Sequence, residues 1–237
     1  MGGFLLSRSI LFREVGGNVA HFAEQRVPLV SMARPYELKR RAERQEQTRQ
    51  RIVEAAVELH QAYGPAATTV SDVAKRAGVG RVTIYRHFAD ETELLRACSG
   101  HYFASHPAPD PECWRAIEDP TERLRTALGE TYAYHRETEE MITHALADVR
   151  EHEVMEPYYA LWELASEVLL EPWRARGRRR ALLRAGIALA LSFDTWRQLV
   201  REQGLSEEQA IELGLRLTAD ATRGADVRAP SPAAARA

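Results

Sequence analysis

The sequence predicts an all-α fold: a small amino-terminal helix-turn-helix domain joined to a larger helical body. Two observations carry this. Apolar residues recur at helical spacing. Val70, Val73, Ala74 and Ala77 fall at i, i+3, i+4 and i+7. Leu182, Gly186, Leu189, Phe193, Trp196 and Val200 follow at intervals of 4, 3, 4, 3 and 4. Helix-start chemistry and breakers then divide the chain. Thr69 with Asp72, Asp90 with Glu93, and Ser206 with Gln209 form capping boxes. Asp119-Pro120-Thr121-Glu122 combines an N-cap, a proline at the first helical position and a carboxylate at N3. Gly64-Pro65 and His106 to Pro111, HPAPDP, are breaks.

With 237 residues the chain can bury a sizeable core in one or two domains. Its composition, 45% hydrophobic and 28% charged, is that of a soluble globular protein. Cys98 and Cys113 alone imply no disulfide framework, which fits a reducing cytosol, and a cytoplasmic location is expected. No run approaches eighteen apolar residues, so no membrane span is expected. The net charge of −2 hides a polarity: residues 38–97 carry +3 and residues 98–237 carry −6. A mildly basic amino-terminal domain on an acidic body fits attraction to phosphate at one end.

The first 31 residues are expected to be an extension without a fold. Their apolar patch is too short and lacks the cleavage site of a secretory signal. Met32 opens MARPYELKRRAERQ and reads as a natural start. Lys39, Arg40, Arg41, Arg44, Arg49 and Arg51 form a basic stretch, read as an arm that neutralises phosphates or as a solvated, frayed segment. The domains expected are 1–44 as extension and arm, 45–97 as the helix-turn-helix domain, 98–223 as the body, and 224–237 as a disordered tail.

The first helix should run from about Arg49 to Tyr63, burying Ile52, Ala55, Ala56, Leu59 and Tyr63. Thr69 caps the second and Gly78 ends it, where a left-handed residue is commonly needed. A further run carries Val82, Ile84, Tyr85 and Phe88 and leaves Arg81, Thr83, Arg86 and His87 facing outward. This spacing reads as a helix-turn-helix whose second helix can enter the major groove. An αα-hairpin that only packs has the same spacing. In the body, helices are expected from about Pro120 to Arg136, Glu139 to Arg150, near Glu156 to Pro172, Arg179 to Glu202, and Ser206 to Thr222. Arg174 to Arg184 reads as a solvated, arginine-dense loop and helix start.

The segment from Thr48 to Ala97 resembles the DNA-binding domain of the TetR family of bacterial regulators. Ile52, Ala55 and Ala56 carry the resemblance, with Gly64, Thr69, Val73, Ala74, Ala77, Gly78, Val79, Tyr85, Phe88 and Leu94. The string AGV, then YRHF, then LL is the specific part. The resemblance implies an amino-terminal three-helix DNA-binding domain joined to a larger helical ligand-binding and dimerisation domain. It also implies a regulator, by default a repressor released from a palindromic operator by a small molecule.

Carried over position by position, Gly80, Arg81, Val82 and Thr83 would meet base edges. Arg81 could fork onto a guanine, and Val82 or the Thr83 methyl could touch a thymine methyl. Arg86 would read a base or a phosphate, and Tyr85 and His87 would bond phosphate. Thr69 would offer phosphate its hydroxyl and a helix N-terminus. Arg40 and Arg41 would add the arm. Two departures stand out. Gly80 replaces a frequent serine or threonine, and Glu91 stands where lysine is common. A carboxylate there would repel phosphate.

For the body, the resemblance implies a small-molecule effector and a homodimer. Ligand-lining candidates are Tyr132, His135, Met141, Met155, Tyr159, Trp162, Phe193 and Trp196, a set suited to a largely apolar ligand. At helical spacing they equally suit a core. Dimer candidates are Leu182, Leu189, Phe193, Trp196, Val200, Leu213 and Leu217, which could instead serve the intrachain core. No cofactor, metal or enzyme activity is expected, because P-loop, HExxH and GxSxG motifs are missing. Two other readings stay open. One is a small helical metal-dependent enzyme using His144 and Asp148, four apart on one face. The other is a non-specific architectural DNA binder.

Overall fold

The computed structural model describes residues 33–223. The expected extension, the Met32 start and the tail lie outside them. Every regular element among the described residues is helical. The described residues divide into two units at Arg44–Gln45.

Helix α1, Ala33–Tyr63, begins well before the expected Arg49. From Tyr36 to Tyr63 there is neither glycine nor proline, and Glu, Arg, Gln and Ala are strong helix formers. Pro35 sits in the first turn, where its missing N–H costs little. The basic stretch is therefore helical. Lys39, Arg40, Arg41, Arg44 and Arg51 are exposed, while Arg49 is half-buried with its guanidinium 4.9 Å from the Phe88 ring centroid. The Arg40 guanidinium lies over the Tyr36 ring, 5.7 Å from its centroid.

Helices α2, Val70–Ala77, α3, Arg81–His87, and α4, Glu91–Ser105, complete the amino-terminal domain. Its core joins Ile52, Val53, Ala55 and Ala56 of α1 to Val73 and Ala74 of α2, Ile84 of α3, and Phe88, Leu94 and Cys98. Tyr63, expected in this core, is instead exposed.

The body contains α5, Pro120–Glu137, α6, Glu139–Asp148, α7, Glu156–Leu170, and α8, Gly177–Leu191. A short α9, Phe193–Arg197, runs into a π-helical turn, and α10, Glu207–Arg223, ends the described chain. Helix α8 packs between α7 and α10, and α5 closes the core beneath them. Gly186 lets α8 approach Thr218 and Leu217. A Cβ on Gly214 would stand 3.1 Å from Leu128 and 3.3 Å from Ala190, so glycine permits the α5–α8–α10 approach.

The long seam expected from Leu182 to Val200 is interrupted. Ser192 is extended, with φ −65° and ψ 133°, and ends α8. The interruption turns the apolar pattern: Leu182 and Leu189 stay exposed, whereas Phe193 and Trp196 are buried in the chain's own core. Phe193 and Trp196 are thus not available to a partner, and Val200 packs half-buried against the same core. Two buried side chains of α5 satisfy the carbonyls at the interruption. Tyr132 donates to Ala190 O at 3.0 Å, and His135 Nε2 donates to Leu191 O at 2.9 Å.

A buried arginine holds the other end. Arg123 donates to the carbonyls of Ile117 at 2.8 Å, Val168 at 3.1 Å and Arg115 at 3.0 Å. It ties the 3₁₀ turn Pro111–Ala116 to α7.

Candidate nucleic-acid interface

The turn between α2 and α3 is built as its residues dictate. Thr69 Oγ1 accepts from Asp72 N at 3.2 Å, and Asp72 accepts from Thr69 N at 3.1 Å, a complete capping box. Gly78 adopts φ 66°, and Val79 N reaches back to Ala74 O at 3.0 Å. This pairing closes α2 with a left-handed residue and starts the turn. Ile84 and Phe88, each 1% exposed, then pin α3 to the core.

That anchoring fixes what faces out. Arg81, Val82, Tyr85 and Arg86 are exposed, and Thr83 and His87 are half-exposed. Val82 is 66% exposed. Helix α3, RVTIYRH, contains no carboxylate. Neither Arg81 nor Arg86 has an ion-pair partner among the described residues. Arginines elsewhere are commonly paired: Arg76 with Glu58, Arg96 with Glu153, Arg136 with Glu207 and Arg201 with Glu139. Gly80 occupies the N-cap of α3 without a side-chain bond.

Thr69 stands differently from the sequence expectation. Its hydroxyl both accepts from the Asp72 N–H and donates to the Asp72 carboxylate, so capping occupies it. Helix geometry leaves the N–H groups of Val70 and Ser71 free at this end. The exposed Ser71 is therefore an added candidate, signalled only by its place two residues after the cap. Glu91 is exposed in the first turn of α4, on a cleft that Asp148 and His152 also line.

The body bears on this domain at a few polar contacts. Ala66 N donates to Asp148 Oδ2 at 2.9 Å, Gln61 bonds Glu140 at 3.1 Å, and Arg96 pairs with Glu153. Gly64, at φ 86°, lies against the same side chains: a Cβ would collide with Asp148 and stand 3.1 Å from His144 Nδ1. His144 and Asp148, left open as metal ligands, are thus a docking face for the loop after α1. Burial lowers the His60 pKa to about 4, against the opposing field of Asp148, and burial pushes the Cys98 thiol up to about 12.

A cavity of about 340 Å³ lies between α6, α7 and α8. Tyr159, Trp162 and Phe193 of the expected ligand-lining set face it, with Tyr158, Leu146 and Leu191. Two ion pairs border it, Arg150 with Asp194 at 3.1 Å and Arg184 with Glu163 at 3.0 Å. Tyr132, His135 and Trp196 do not line it. They are fully buried behind it, where the first two cap the end of α8. Burial lowers the His135 pKa to about 4, partly offset by the bond to Leu191 O. Met141 and Met155 line a separate small cavity beside α4. The distinction depends on which helix face turns inward, which aromatic spacing alone does not specify.

Residues 52–98 match the family model described as "Bacterial regulatory proteins, tetR family". The chain is similar to the HTH-type transcriptional regulator SrpR of Pseudomonas putida, 44% identical over 52 residues, 22% of this chain and 24% of that protein. It is also similar to the HTH-type transcriptional regulator TtgR of Pseudomonas putida, 38% identical over 69 residues, 29% of this chain and 33% of that one. These alignments span about a quarter to a third of the relatives' own length. The fold is similar over 75% of this chain to a TetR-like transcriptional regulator from Rhodococcus sp. RHA1, covering 96% of it with a TM-score of 0.52 and 22% identity. It is equally similar to a candidate fatty acid metabolism regulator of Clostridium perfringens, 100% covered, with a TM-score of 0.52 and 18% identity. With the capped α2, the glycine turn and the unpaired cations of α3, residues 52–98 form a helix-turn-helix domain similar to that of the tetR family of bacterial regulatory proteins.

Proposed function

We propose that the chain is a cytoplasmic, sequence-specific DNA-binding transcriptional regulator. It acts as a homodimer on a palindromic operator and represses until a small molecule releases it. The observation that carries this reading is α3. Its Arg81, Val82, Tyr85 and Arg86 face outward with no carboxylate to neutralise the arginines. Arg81 reads a base edge, Val82 and Thr83 supply methyl contacts, and Tyr85, His87 and the free N–H groups of α2 position the phosphates. Arg40 and Arg41 add sequence-independent attraction.

Leu182, Leu189, Leu213 and Leu217, each between 41% and 52% exposed on α8 and α10, support pairing with a second copy. Such pairing sets two α3 helices about 34–36 Å apart, one turn of B-DNA. The cavity between α6, α7 and α8 takes the effector. Leu146 and Arg150 line it, and Asp148, midway between them in the chain, holds the Ala66 N–H. An effector that binds more tightly when this turn is displaced loosens the amino-terminal domain and lowers operator affinity.

Selection of duplexes from a random pool tests the reading. The expected product is a palindrome, preferred over random duplex by ~10³ or more. Enrichment without a palindrome refutes the dimeric operator, and no preference at all supports an architectural binder instead.

A further inference from the structure

Four sulfur and nitrogen side chains from four elements surround one small cavity at the junction of the amino-terminal domain and the body. His60 comes from α1, Cys98 from α4, Met141 from α6, and Met155 from the 3₁₀ turn Glu153–Met155. The Cys98 Sγ and His60 Nδ1 atoms stand 3.3 Å apart. Ligands held at about 2.3 Å for sulfur and 2.0–2.1 Å for nitrogen sit about 3.3–3.6 Å apart at angles near 100–110°. His60, Cys98, Met141 and Met155 are all buried, between 3% and 9% exposed.

We infer that this cavity is a binding site for a single soft monovalent cation, Cu(I) or Ag(I). Three features select that class. The cavity holds about 30 Å³, room for one ion or one water but far too little for an organic effector. The donors are a thiol, an imidazole and two thioethers, which favour soft metals over oxygen-seeking ones. Charge selects the valence. One thiolate and one monovalent cation are together neutral, and Asp148, whose field reaches His60, does not line the cavity.

Binding exchanges the S–H bond for an S–metal bond. The thiol proton leaves to solvent, and no electron is transferred. The bound ion would join α1 and α4 to α6 and the turn before α7.

The test uses the full chain carrying Cys113→Ser, which removes the exposed thiol. Cu(I) is delivered anaerobically from a chromogenic chelator. The expected result is one ion retained per protomer, with an ultraviolet thiolate-to-metal band. Adding Cys98→Ser abolishes both, and Met141→Leu with Met155→Leu, which conserves volume, weakens retention at least about tenfold. Circular dichroism confirms that each variant folds. No retention in the parent, or retention unchanged by Cys98→Ser, overturns the site. Retention unchanged by the two leucines overturns the thioether ligation.

Discussion

The backbone N–H of Ala66 donates to the Asp148 carboxylate at 2.9 Å, so the loop after α1 hangs on the last residue of α6. Gly64 makes the approach possible, with φ 86° and no Cβ. Gly64→Ala combines a left-handed alanine with a collision against Asp148, and should cost about 2 kcal/mol or more in urea unfolding. Asp148→Ala removes only the bond and should cost about 1 kcal/mol, with faster hydrogen exchange at Ala66. Equal losses for the two variants would contradict this account of the loop.

On the proposed DNA face, Arg81 and Tyr85 would have separable roles. Arg81→Ala should relax sequence preference at one base pair, at about 1–3 kcal/mol, measured as mobility-shift affinities for a set of single-base operator variants. Tyr85→Phe should weaken all of them alike. Unchanged affinities in both variants would remove α3 from the interface.

His135 makes stability pH-dependent. Its pKa is about 4 in the folded chain, below the ordinary 6.5, because burial disfavours the cation. The unfolded chain therefore binds the proton first as pH falls. Stability should drop between about pH 6.5 and 4, by on the order of 3 kcal/mol in total, and the effect is nil above that window. Its neighbours are the rings of Tyr132, Tyr134, Trp162, Phe193 and Trp196, none of them charged at these pH values. His60, also lowered to about 4 by burial, adds a loss in the same window. His135→Gln should therefore remove only its own share of the slope, and an unaltered slope would show that the loss originates elsewhere.

Leu189, 52% exposed on α8, lies with Leu182 on one face. Leu189→Asp should convert a dimer to a monomer in sedimentation velocity, with the unfolding of the isolated chain changed by less than about 0.5 kcal/mol. A persistent dimer would place the interface on another face.

The amino-terminal domain was legible because its signals are local. The Thr69 and Asp72 cap, Gly78 and the Ile84–Phe88 anchor each act within a few residues, and each appears as expected. The exposure of Arg81 and Arg86 follows once Ile84 faces inward. What was hidden depended on distant groups. Thr69's hydroxyl is occupied by its own cap, and His144 and Asp148 meet a loop about eighty residues earlier. Tyr132 and His135 were expected beside a ligand but bond the carbonyls of α8. The heptad-like spacing from Leu182 to Val200 ignores Ser192, because periodicity carries no information about a single extended residue.

The extended Ser192 changes the helical phase along one stretch of chain. Leu182 and Leu189 of α8 stay on the outside, while Arg184, Ala188 and Leu191 of the same helix and Phe193 and Asp194 beyond Ser192 line a cavity. Because the helical phase is reset at Ser192, substitutions at Phe193 or Asp194 can reshape that cavity without rotating the outer leucines. Under the proposed function, changes at Phe193 or Asp194 would alter effector preference while leaving the outer leucines in place for self-association.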